Sequence, residues 1–125
     1  MTKIISSPNC GNSPKMEFLK KFKIAFAKGD LAFITDSVTD DVFWNIIGDK
    51  KIEGKEMFSV ELEKMKSEKV SELVLEQVLS HGKEGAVNGI MKRQDGKNYA
   101  FSEFYVFQGA KGTKIKSMSP YVIRV

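Results

Sequence analysis

A chain of 125 residues, 42% of them hydrophobic and 29% charged, has enough apolar material for one packed domain and too little length for two. Its 20 basic and 16 acidic residues leave a net charge of +4. The lysines are interspersed with acids and only Arg93 and Arg124 are arginine, which argues against a nucleic-acid surface.

Residues 1–13, rich in Ser, Asn and Gly, read as a mobile N-terminal arm, and residues 14–125 as a single domain. Lys3-Ile4-Ile5 is too short for a signal-peptide core and no apolar run could span a membrane, so a cytoplasmic protein is expected. Cys10, the single cysteine, excludes an intrachain disulfide and a thiolate metal cage, and reads as a spectator thiol.

Ser13-Pro14 is a helix start, with Ser13 as N-cap and Pro14 in the first helical position. The first helix is predicted over Pro14 to Lys28, with Phe18, Leu19, Phe22, Ala25 and Phe26 inward. Lys20, Lys21 and Lys23 are expected to point away. Gly29 supplies the left-handed terminating position, and Asp30 caps a short second helix carrying Leu31, Ile34 and Val38 inward.

Asp40-Asp41 then turns the chain into Val42–Ile47, which Gly48-Asp49 stops. Alternation puts Val42, Trp44 and Ile46 on one face, and Phe43, Asn45 and Ile47 on the other. Five of these six are large and apolar, so the strand is expected to be covered on both sides. A third helix begins at Gly54-Lys55-Glu56 and carries Phe58, Leu62 and Met65.

Four strand candidates follow: 70–80, 86–93, 98–107 and 113–124. Asp95-Gly96 between two of them is a tight-hairpin signal, and links this short require an antiparallel meander. His81, the single histidine, falls in a turn-like stretch and reads as an exposed hairpin residue. Pro120 predicts an edge, a bulge or a bend in the last strand. Helices first and a meander afterwards give an α+β fold, a curved and mainly antiparallel sheet with helices packed on one face.

The helix end Ala27-Lys28-Gly29-Asp30-Leu31, the acidic pair Asp40-Asp41, the closing Ile52-Glu53-Gly54-Lys55-Glu56 and the final strand Gly112 to Met118 occur in a telling order. Over residues 14–124 the chain resembles the nuclear-transport-factor-2-like superfamily, and within it the SnoaL-like and ketosteroid-isomerase-related branch. The resemblance implies a cone-shaped fold, its bent sheet wrapped around one long N-terminal helix, with two further helices. It also implies an apolar pocket at the open end and a homodimer through the outer sheet face. Fold membership alone confers no activity.

The isomerase of this superfamily uses an Asp base, with a Tyr and a protonated Asp as oxyanion donors. Its Tyr position, eight residues before Asp30, corresponds to Phe22. The base position corresponds to Asn45 or Ile46, neither of which can take a proton, and the protonated Asp corresponds to Glu103. Steroid isomerisation by that mechanism is therefore not expected.

Glu103 shares a strand face with Tyr99, Phe101, Tyr105 and Phe107. A carboxylate buried in an aromatic row is pushed by desolvation toward its neutral form, which makes Glu103 the catalytic candidate; a Lys or Tyr partner would make it structural instead. Phe22, Trp44, Asn45, Phe58, Phe101, Tyr105 and Tyr121 are the candidate ligand-binding residues. Trp44 and Asn45 lie on opposite faces, so at most one of them faces the cavity. The function expected is binding of an apolar small molecule, with no cofactor and no metal. One alternative is an isomerase, cyclase or hydratase centred on Glu103; another is a dimeric interaction module with a vestigial pocket.

Overall fold

Short-range capping fixes where the helices begin and end. The computed structural model describes residues 2–8, 13–65 and 68–125. Helix α1 spans Pro14–Lys28: the Ser13 side chain accepts the Met16 N–H at 3.2 Å, and Gly29 ends the helix at φ +75°. Helix α2, Leu31–Asp36, is capped by Asp30, whose Oδ1 accepts the Phe33 N–H at 3.2 Å. Helix α3 spans Lys55–Met65 and buries Phe58 and Leu62.

The strands are β1 (Lys3–Ser6), β2 (Val38–Ile46), β3 (Lys50–Glu53), β4 (Val70–His81), β5 (Glu84–Arg93), β6 (Asn98–Phe107) and β7 (Ile115–Arg124). They form one seven-stranded sheet in the order β1-β4-β5-β6-β7-β2-β3. The protein is thus α+β, with three helices beside this sheet among the described residues. From β4 to β7 the strands form the expected antiparallel meander. The turn after β5 has Gly96 at φ +88°, and Asp95 Oδ1 accepts the Lys97 N–H at 3.0 Å. His81 is exposed at its hairpin, and Cys10 lies outside the described residues.

Three expectations change. Residues 3–6, read as part of an arm, form β1, which pairs in parallel with residues 72–75 of β4 and packs Ile4 against the core. Edge pairing satisfies backbone groups that would otherwise be left open, a contact invisible in the composition of the segment. The 15-residue α1 is accordingly preceded by a strand. Next, β2 begins at Val38 and carries Asp40-Asp41 as exposed residues, beside a register shift against β7. Finally, β2 is covered on one side only: Val42 and Trp44 are buried, Phe43 and Asn45 are half-buried, and Ile47 beyond them is exposed.

Pro120 occupies an interior strand, yet its missing N–H does no harm. The β2–β7 ladder ends at Trp44 and Met118, and beyond it Pro120 contributes only its carbonyl, which accepts the Ile47 N–H at 3.4 Å. The helices pack on the inner sheet face. Phe22 meets Tyr105 edge-on at 6.0 Å between ring centroids, and Trp44 lies between Phe26 and Phe58 at 5.8 and 5.1 Å. Among the described residues, no helix is long and apolar enough to cross a membrane.

Candidate functional site

A cavity of about 670 Å³ opens between the helices and the inner sheet face. Phe26 of α1, Leu31 and Ile34 of α2, Trp44 of β2, and Leu62 and Met65 of α3 give it an apolar wall. Each reaches inward because the residues three or four positions away on a helix, or two away on a strand, share its face. Exposed Lys28, Glu68 and Lys69 also line it and mark its solvent side.

Of the charged side chains that line the cavity, Glu103 and Lys23 are buried. Glu103 of β6 is 6% exposed and Lys23 of α1 is 7% exposed, and both line the cavity. Lys23 Nζ lies 2.6 Å from Glu103 Oε1 and 4.3 Å from the centroid of the Phe101 ring. The Tyr105 hydroxyl donates to the same Oε1 at 3.2 Å. Both polar contacts of the carboxylate thus fall on one oxygen. Oε2 has no protein partner among the described residues, and it is not one of the sealed, unpartnered atoms. It is an acceptor open to the cavity. The Trp44 indole N–H, buried in the same wall, also lacks a protein partner.

This arrangement decides between the two readings of Glu103. The parity is as expected: Phe101, Glu103, Tyr105 and Phe107 are buried, while Phe104 faces out. The unpaired acid is not observed, because an ammonium and a phenol both compensate it. Burying a carboxylate without such compensation would cost far more than any single hydrogen bond returns.

Lys23 is the residue that sequence reading missed, since it was expected to point outward. A signal was present. Leu19, Phe22, Lys23 and Phe26 follow the i, i+3, i+4, i+7 spacing of one helix face. Lys15 lies on the same stripe and is also buried, donating to the carbonyls of Gly109 and Ala110 at 3.0 and 2.7 Å.

Of the candidate ligand-binding residues, only Trp44 lines the cavity. Phe22, Phe58, Phe101 and Tyr105 are buried in the core behind it. Asn45 and Tyr121 are corrected to the outer sheet face. Inward Trp44 forces its neighbour Asn45 outward, and buried Pro120, opposite Glu103 in the ladder, does the same to Tyr121. Tyr121 is 48% exposed and meets Phe104 edge-on at 5.9 Å. Among the described residues no group of His, Cys, Asp and Glu could hold a metal ion.

Burial, followed by the Glu103 charge and hydrogen bond, pushes the Tyr105 phenol well above its ordinary value. The folded state therefore keeps this proton at a pH where the unfolded chain has released it. Stability linked to Tyr105 is complete below about pH 10, and above that it is expected to fall by about 1.4 kcal/mol per pH unit. Urea titrations from pH 9 to 11 check this: the slope should be shallower in Tyr105→Phe, and an unchanged slope would refute the linkage.

No family model and no curated protein sequence matches the chain. Its fold is similar to that of several solved structures. An NTF2-like protein of unknown function from Cytophaga hutchinsonii aligns at 22% identity and TM-score 0.66, over 86% of this chain and 97% of the other. Another from Burkholderia pseudomallei aligns at 14% identity and TM-score 0.72, over 89% and 92%. A third, from Burkholderia xenovorans, gives 16% identity and TM-score 0.72 over 86% and 81%. The chain has the NTF2-like, that is nuclear-transport-factor-2-like, fold.

Proposed function

We propose that this chain, built on the NTF2-like fold, binds an apolar small molecule in the cavity between its helices and the inner sheet face. The observation that carries the reading is the cavity itself, about 670 Å³ with a mostly apolar wall and one buried ion pair within it. Specific small-molecule sites have this make-up, a hydrophobic lining with few fixed polar groups. In this reading the sheet and helices form a cone around α1, with Lys28 and Lys69 at its mouth. Trp44 is the single tryptophan and lines the cavity, so its fluorescence reports occupancy directly. Native mass spectrometry of the purified protein, followed by extraction and titration back against Trp44 emission, tests the reading. A chain that carries no adduct and answers to no apolar probe would refute it.

A second reading, acid/base catalysis on a lipophilic substrate, draws support from the open Oε2 of Glu103, which could accept a substrate proton. It departs from the steroid-isomerase pattern, because Phe22 is packed against the Tyr105 ring and offers no hydroxyl.

The proposal extends to a homodimer through the outer sheet face. Leu79, Phe104 and Ile123 are 56, 54 and 66% exposed there, and Tyr121 extends the same apolar surface. A patch of this kind on an isolated chain is an association hazard. Sedimentation velocity at micromolar concentration is expected to show a dimer and Phe104→Lys a monomer. A monomeric parent chain would end the proposal.

A further inference from the structure

The ion pair in the cavity wall is incompletely used by the protein, and its unused valences define what can dock on it. An ammonium has three N–H donors. That of Lys23 has one oxygen partner among the described residues, Glu103 Oε1, and otherwise lies against the Phe101 ring. On the Glu103 side, Oε2 remains an open acceptor. The cavity thus presents a donor and an acceptor side by side, carried by a pair whose charges cancel.

We infer that the cognate ligand is an uncharged lipophile whose inner end bears a hydroxyl or a primary amide, seated on the Lys23–Glu103 pair. The inference rests on the binding reading above and specifies its ligand class. A hydroxyl accepts from the ammonium and donates to Oε2 at once. A primary amide does the same through its carbonyl and its NH₂. A carboxylate would satisfy Lys23 but face the Glu103 charge, and an ammonium would meet the reverse conflict with Lys23. Either ion would bring an unbalanced charge up against a buried pair whose own charges cancel, where poor compensation is costly. The exposed cations at the solvent side, Lys28 and Lys69, provide the competing mode: an anionic head held outward with the tail inside.

The test uses four probes with one tail: 1-decanol, decanamide, decanoate and decylamine. Each is titrated against Trp44 emission at neutral pH, and native mass spectrometry records each adduct independently. The alcohol and amide are expected to bind at least about tenfold more tightly than either ion, the difference one well-made buried polar contact supplies. In Glu103→Gln, where the ammonium loses its counter-charge, the ranking should turn toward decanoate. In Lys23→Met it should turn toward decylamine. Should either variant fail to fold, the ranking on the parent chain still decides. Decanoate or decylamine matching the alcohol on the parent chain overturns the ligand class and leaves the binding reading standing. Failure of all four probes to bind removes both.

Discussion

Replacing Lys23 by methionine is expected to destabilise the protein by about 3–5 kcal/mol, the cost of leaving a buried carboxylate without its charge partner. The geometry justifies the high figure. The pair is 2.6 Å apart, both side chains are less than a tenth exposed, and the Tyr105 hydroxyl is the only other protein donor to the Glu103 carboxylate among the described residues. Glu103→Gln should cost about 3 kcal/mol, toward the lower end, because the amide carbonyl can still accept from Lys23. The double variant Lys23→Met/Glu103→Leu should lie close to the parent chain, since it removes both desolvation penalties with both charges. Urea unfolding of the parent chain, Lys23→Met, Glu103→Leu and the double variant closes a double-mutant cycle, in which the two single losses together should exceed the loss in the double variant by at least about 3 kcal/mol. Single variants each costing under about 1 kcal/mol would mean that water already solvates the pair, as at an exposed ion pair.

Gly89→Ala is the second substitution expected to have a large effect, at about 3 kcal/mol or more. The cause is contact and not backbone freedom, because Gly89 is not one of the positive-φ glycines. A methyl there would lie 1.9 Å from the Val74 carbonyl oxygen and 3.2 Å from Phe101 Cζ. The first obstacle is backbone in the neighbouring strand and cannot rotate away. The β4–β5 register shifts between Leu75 and Gln77, opposite Gly89, so the missing side chain sits where the sheet bends. Gly85→Ala is the control. Its added methyl would meet Leu19 Cδ1 at 2.6 Å, the end of a flexible side chain, and should cost about 1–2 kcal/mol. Equal midpoints for the two variants in thermal unfolding would show that the β4–β5 bend can relax, contrary to this account.

These two sites also separate what the sequence determined from what the tertiary structure decided. Helix ends were legible because their causes span three or four residues: Ser13 caps α1, Gly29 ends it and Asp30 caps α2. The meander was legible because Asp95-Gly96 dictates a tight turn, and β6 alternation put Glu103 on the face of Phe101 and Tyr105 and Phe104 on the other. The chain therefore specified by itself which residues share the acid's face, and the fold decided that this face is the buried one. It did not specify the partner. Lys23 reaches Glu103 because α1 crosses the inner sheet face, and a long apolar stem lets a lysine lie on a buried stripe while its charge is met elsewhere. The pairing of β1 with β4 joins residues nearly 70 positions apart, and the parallel β2–β7 ladder is similarly remote. No local propensity encodes such contacts. They depend on which edges remain unpaired once the meander has formed, as does the close approach of Val74 that leaves room only for glycine at position 89.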